Sequence, residues 1–193
     1  MLCAIKVYVK LTGLRINFMH IGMQKTLLLF FFYIYATPVF AFSMYADASY
    51  MYHSIDTGGV ELNPYTAKLK FGVPITKTMS IEAVYASAAG GDKVNGLEVE
   101  IDEILAAYVR FYSSMKGGGT HISLFVGQAN TTLVTSGSGS VGSEDFQDLS
   151  WGIGAEEESK AIKNLFYILE YPRYYDDDDL TVSGTSLGVK YNF

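Results

Sequence analysis

Thr185-Ser-Leu-Gly-Val-Lys-Tyr-Asn-Phe193 closes the chain in unbroken alternation. Leu187, Val189, Tyr191 and Phe193 share one parity; Ser186, Gly188, Lys190 and Asn192 share the other. Successive side chains of an extended strand point to opposite faces, so this stretch reads as a β-strand with one apolar and one polar face. The signature recurs upstream. Leu165, Tyr167, Leu169 and Tyr171 oppose Phe166, Ile168 and Glu170. Leu149, Trp151, Ile153 and Ala155 oppose Ser150, Gly152, Gly154 and Glu156. Leu105, Ala107, Val109 and Phe111 oppose Ala106, Tyr108 and Arg110. Ile81, Ala83 and Tyr85 oppose Glu82, Val84 and Ala86, and Tyr65, Ala67, Leu69 and Phe71 oppose Thr66, Lys68 and Lys70. From Phe42 onward no amphipathic helix of useful length interrupts the series.

Eight strands are expected, at about 44–53, 62–72, 78–88, 98–113, 120–129, 148–158, 164–174 and 180–193. The connections 73–77, 114–119 and 159–163 are short. Those at 54–61, 89–97 and 130–147 are longer and rich in Gly, Ser, Thr and Asp, while 175–179 is short and acidic. Short turns at one end and long polar loops at the other are the habit of outer-membrane barrels, whose short turns lie in the periplasm. The expected fold is therefore all-β: a closed antiparallel transmembrane β-barrel of about eight strands, wound as an up-and-down meander. Closure is obligatory in lipid, because an open sheet edge would strand unpaired N–H and C=O groups.

Alternation alone also fits a soluble, lipocalin-like barrel with its apolar face inside. The N-terminus separates the two. Within 23–41, MQKTLLLFFFYIYATPVFA, Lys25 supplies a basic start and 27–35 an apolar run. Val39 and Ala41 place small residues before a cleavage site, so 23–41 reads as a signal peptide. The apolar run is too short for a spanning helix, which needs about 20 residues. Residues 1–22 are basic, lack a barrel pattern and are expected to be an over-extended or mis-annotated start; 42–193 forms the barrel domain.

Composition agrees. The chain is 49% hydrophobic and 18% charged, with 15 Tyr and 12 Phe, which suits rings lying at a membrane–water boundary. Residues 42–193 hold ten Lys or Arg against twenty Asp or Glu, an acidity that argues against a nucleic-acid partner. The one cysteine, Cys3, precedes the barrel, so no disulfide framework or Cys-based metal site is expected.

The last residues carry a further pattern: polar Ser186, then Gly188, aromatic Tyr191 and terminal Phe193. This resembles the strand recognised by the barrel-assembly machinery. Asp148-Leu-Ser-Trp-Gly-Ile-Gly-Ala-Glu156, Asn164-Leu-Phe-Tyr-Ile-Leu-Glu-Tyr171 and the final strand together resemble the OmpA-like/opacity-type family of eight-stranded Gram-negative outer-membrane barrels. The likeness covers about 44–193. It implies residence in the outer membrane among lipid and lipopolysaccharide, and roles ranging over structural anchoring, adhesion and weak conduction. The chain has no cell-wall-binding domain after the barrel, so tethering is not expected.

An eight-stranded barrel is just wide enough for side chains to fill. The inward set Lys68, Lys70, Glu82, Arg110, Glu156, Glu170 and Lys190, four cations and three carboxylates, is expected to pack as an ion network rather than line a channel. The leading expectation is a non-enzymatic structural or surface-interaction role, with 130–147 the largest contact surface for an unidentified extracellular ligand. A small pore or transporter is the second reading. A third is a lipid A-modifying enzyme: His121-Ile-Ser123 resembles the His-x-Ser pair of lipid A deacylases, although Leu124 stands where that family has Asn. Asp176–Asp179 reads as a solvated acidic loop, because neighbouring carboxylates in an extended run point apart and do not close on one ion. His20, His53 and His121 are too scattered for a metal site, and no cofactor is expected.

Overall fold

The computed structural model describes residues 43–94, 96–113, 120–137, 140–177 and 180–193. The expected extension 1–22 and signal peptide 23–41 lie outside these residues. Ten strands follow one another: β1 (Tyr45–Asp56), β2 (Glu61–Leu62), β3 (Tyr65–Thr76), β4 (Met79–Gly90), β5 (Asp92–Val94), β6 (Leu97–Tyr112), β7 (Thr120–Gly137), β8 (Ser140–Glu158), β9 (Leu165–Asp176) and β10 (Thr181–Asn192). Eight are staves. They pair antiparallel in the order β10-β9-β8-β7-β6-β4-β3-β1, and β1 returns to β10 from Tyr45↔Asn192 to Asp56↔Thr181. The barrel is closed and its topology is a meander. β2 pairs with β1 and β5 with β6 as short additions at one rim.

Side-chain parity settles which face meets lipid. Leu69, Phe71, Ile81, Leu105, Ile122, Leu124, Ile153, Leu169 and Leu187 point outward, each about half exposed or more. Lys68, Lys70, Glu82, Arg110, Glu170 and Lys190 point inward and are buried. An apolar exterior around a charged interior is the reverse of a soluble barrel and is what a hydrocarbon surround demands. The soluble alternative is thereby set aside.

Two expectations need correction. Residues 130–137 and 140–147 are strand, not loop. β7 and β8 continue through them in register, from Asn130↔Gln147 to Gly137↔Ser140, as a hairpin with β6 paired alongside as far as Ser136. Thr131, Thr132, Val134 and Thr135 are β-branched and suit a pleated surface, whatever their polarity. The strand expected at 62–72 is divided, because Leu62 belongs to β2 and Asn63 and Pro64 intervene before β3. Pro64 has no N–H to give a ladder; its carbonyl instead accepts the His53 amide at 3.0 Å.

Glycine is obligatory at the seam that closes the barrel. A Cβ on Gly188 would overlap the Ala48 carbonyl oxygen and Ser49 Cβ on the adjoining β1, a clash that flexible side-chain motion cannot relieve. Gly188 thus has a packing role in the closing seam of the barrel, apart from any part in recognition.

Candidate functional site

The barrel interior has three levels. At the turn end, Lys190 pairs with Glu156 and lies over the rings of Tyr45, Tyr112 and Phe166, with its Nζ 5.0, 5.4 and 4.7 Å from their centroids. Such cation–π contacts hold an ammonium that few waters reach. Tyr45 Oη donates to Glu82 and lies 2.8 Å from Ser80 Oγ, linking this level to the next.

The middle level is the charge cluster. Glu170 accepts from Lys68, from Lys70 and from Arg110 Nη2, the last at 2.5 Å. Arg110 Nε also donates to Glu82 at 2.7 Å, and its Nη1 donates to Ser123 Oγ at 2.7 Å. Lys70 makes a second pair with Asp47 at 2.9 Å. Lys68 donates to Ser186 Oγ at 2.9 Å. Of the seven charged residues anticipated inside, five meet in this cluster, while Lys190 and Glu156 form the separate pair below it. Asp47, only 2% exposed, is the member that sequence reasoning missed. With it, Lys68, Lys70 and Arg110 face Asp47, Glu82 and Glu170, and the cluster is formally neutral. That balance answers the physical need, since a buried charge persists only where it is paired and hydrogen-bonded.

Above the charges the interior turns apolar. Phe125 stacks edge-on against Tyr108 at 5.1 Å between centroids, and the Arg110 guanidinium lies 4.3 Å from the Phe125 ring. Met51, Tyr174, Ile104, Ile101 and Val182 are buried over this layer. They lead to a cavity of about 670 Å³ at the mouth, lined by Ile55, Leu62, Val99, Leu133, Phe146 and Leu180 among others.

The outward face changes in the opposite sense. On β7, Ile122, Leu124 and Val126 give way to Gln128, Asn130 and Thr132. On β8, Ile153, Trp151 and Leu149 give way to Gln147 and Asp145. On β6 the register shifts between Ile101 and Glu103, a bulge at Asp102. Below it Ile104, Tyr108 and Arg110 face inward; above it Val99 and Ile101 do. Without the extra residue, strict alternation would turn Glu100 and Asp102 into the barrel and Ile101 outward, because a one-residue slip exchanges the faces.

Charge at this rim is one-sided. Among the described residues it holds Asp56 and Glu61; Asp92; Glu98, Glu100, Asp102 and Glu103; Glu144, Asp145 and Asp148; and Asp176 and Asp177. Lys93 and Arg173 are the cations there, paired with Glu98 at 3.3 Å and with Asp176 at 2.7 Å. Asp178 and Asp179, the rest of the acidic run, lie outside the described residues.

Ser123 is committed to the Arg110 guanidinium and to the Gly154 carbonyl at 3.4 Å. His121 lies nearer the turn end, lining a cavity with Glu156 and Lys190. The pair is on one face but is not arranged as nucleophile and base. His53 sits inside, 2.8 Å from Thr66 Oγ1. No group of metal-ligating side chains occurs among the described residues. Of the anticipated insertion motif, Ser186 faces inward and Tyr191 and Phe193 outward, their rings edge-to-face at 5.3 Å.

A closed meander of eight staves with an apolar girdle and a charged interior defines a transmembrane β-barrel of the outer-membrane class. Solved structures agree. The attachment invasion locus protein Ail of Yersinia pestis, solved in complex with the heparin analogue sucrose octasulfate, superposes with a TM-score of 0.59 at 18% identity, covering 79% of this chain and 99% of that one. Neisserial surface protein A gives 0.59 at 11% identity, covering 78% and 97%. The outer membrane protein OprG of Pseudomonas aeruginosa gives 0.56 at 10%, covering 79% and 96%. No protein-family model matches the sequence, and no curated protein matches it. The shared property is the fold: this chain is an eight-stranded outer-membrane β-barrel.

Proposed function

We propose that the protein is a non-enzymatic barrel whose task is performed at its external end, as an adhesin-like surface-interaction protein held in place by the staves. The observation that carries this reading is the β7–β8 hairpin, which lifts polar and acidic side chains above the lipid-facing girdle. The neutral charge cluster stands across the lumen and argues against a pore. Ser123, occupied by Arg110, argues against lipid A hydrolysis. Lipid and lipopolysaccharide surround the staves. The barrel-assembly machinery inserts them, reading Ser186, Gly188, Tyr191 and Phe193 on β10, after a signal peptide at 23–41 has directed export.

Ail is solved with a sulfated polyanion analogue, and Ail supplies the precedent for a surface role. The acidic rim of this chain gives the opposite polarity, so its partner is cationic. The test uses cells displaying the protein, with polylysine-coated and heparin-coated beads. Residues 131–146 are replaced by Asn-Gly, a two-residue hairpin turn between the register partners Asn130 and Gln147. The trimmed barrel, which loses Glu144 and Asp145 and keeps the other rim acids, should still show heat-modifiable gel migration and should adhere less to polylysine. Equal adherence by full and trimmed proteins, or preference for heparin, would refute the reading.

A further inference from the structure

We infer that the cavity at the external mouth is a binding site for a small cationic amphiphile, one alkyl chain bearing a positively charged head. The inference deepens the surface-interaction reading by naming what one part of that surface holds.

The cavity is built, not incidental. Five strands aim apolar side chains into it: Ile55 from β1, Leu62 from β2, Val99 from β6, Leu133 from β7 and Phe146 from β8. Leu180, just before β10, completes the wall. The bulge at Asp102 exists in the register that delivers Val99 and Ile101 to this side. Its volume of about 670 Å³ falls within the range of about 300–1,000 Å³ typical of small-molecule clefts. Its floor is closed: Ile101, Ile104, Met51 and Tyr174 are buried beneath it, and the charge cluster lies below them. A guest enters from outside and goes no further.

The wall specifies an apolar body and the rim specifies the head. Among the described residues, Glu144 is the one charged side chain lining the cavity. Asp56, Glu61, Glu98 and Glu100 alternate with the lining residues Ile55, Leu62 and Val99 and so stand on the outer face of the same rim, where they add to the negative field around the mouth. A field of one sign over an apolar cleft concentrates the counter-charged guest and repels its anionic analogue. An alkylammonium satisfies wall and rim together; an alkyl carboxylate satisfies the wall alone.

The test uses the barrel in nanodiscs with methyl groups of Ile, Leu and Val labelled for NMR. Octyltrimethylammonium and octanoate are titrated separately, with the lipid-facing Leu187 methyls reporting partition into the bilayer. The expected result is saturable shifts at Ile55, Val99 and Leu133 with the cation, at affinity at least tenfold above that of octanoate. Glu144→Lys should narrow that ratio several-fold. Leu133→Trp should fill the cavity and abolish the shifts at Ile55 and Val99, with heat-modifiable migration verifying that each variant is folded. Equal affinities for the two amphiphiles, or shifts that merely track Leu187, would overturn the inference. Such a failure leaves bead adherence by the hairpin untouched, whereas failure of the unaltered barrel to adhere to polylysine, with an intact cavity signal, would strike the broader reading alone.

Discussion

Replacing Glu170 by Gln keeps the shape of the side chain and removes the carboxylate on which Lys68, Lys70 and Arg110 converge. The cluster then holds three cations and two carboxylates in a space closed to water. Breaking a buried ion pair by removing one partner costs about 3–5 kcal/mol, because the remaining charge is left uncompensated. Lys70 keeps Asp47 and Arg110 keeps Glu82, so the deficit falls on Lys68, whose other polar contact is Ser186. A second change, Lys68→Met, restores neutrality and fills the space with an unbranched apolar chain. The double variant should therefore recover much of the loss, giving a coupling within the range of about 0.5–3 kcal/mol found for residues in contact. Urea unfolding of the barrel in lipid vesicles, followed through Trp151, the one tryptophan of the chain, reads each step. Glu170→Gln within 1 kcal/mol of the unaltered protein, or a double variant as unstable as the sum of the singles, would refute the account of a balanced cluster.

Other outcomes follow from the same geometry. In planar bilayers the unaltered barrel should show no discrete openings, and Arg110→Ala, which removes the side chain joining Glu82 to Glu170, is the change that first admits them; openings in the unaltered protein, or none in either, would count against the cluster as the plug. For orientation, Val141→Cys on the exposed hairpin should react with a membrane-impermeant maleimide on whole cells, whereas Lys77→Cys in the β3–β4 turn should react only after the outer membrane is permeabilised. The reverse pattern would place the acidic rim in the periplasm.

Within the girdle the sequence was readable because two solvents imposed opposite demands on neighbouring residues. Lipid outside and a narrow lumen inside gave strands such as 65–71 and 105–111 an alternation that names the face of every residue. β1 carried a weaker signal: its outward Ala46 and Ala48 are small, so Asp47 between them did not stand out as inward. The excess of four cations over three carboxylates in the anticipated set was the available clue that an acidic partner was missing. The 130–147 segment was read as a loop because Gly, Ser and Thr dominate it, although Thr131, Leu133 and Thr135 already alternate with Thr132, Val134 and Ser136. The bulge at Asp102 carried no glycine or proline to mark it. Its only trace is that the apolar parity of β6 changes between Ile101 and Ile104.

That change of parity follows from the physics of the rim. Below it, an outward charge would meet hydrocarbon and an inward charge finds partners, so Leu105 and Phe111 face out and Arg110 faces in. Above it, water bathes the outside, and the narrow interior is the one place where apolar side chains escape it. The cheapest assignment therefore reverses, with Glu100 and Asp145 outward and Val99, Leu133 and Phe146 inward. β7 and β8 make the change by composition without breaking register, with Gln128, Asn130, Gln147 and Asp145 outward and Leu133 and Phe146 inward. β6 cannot, since its acidic residues fall on the wrong parity, and it inserts Asp102 instead. The same boundary thus produces the acidic surface offered to the outside and the apolar cavity beneath it, so a variant that moves the bulge should disturb both features together and leave the charge cluster below in place.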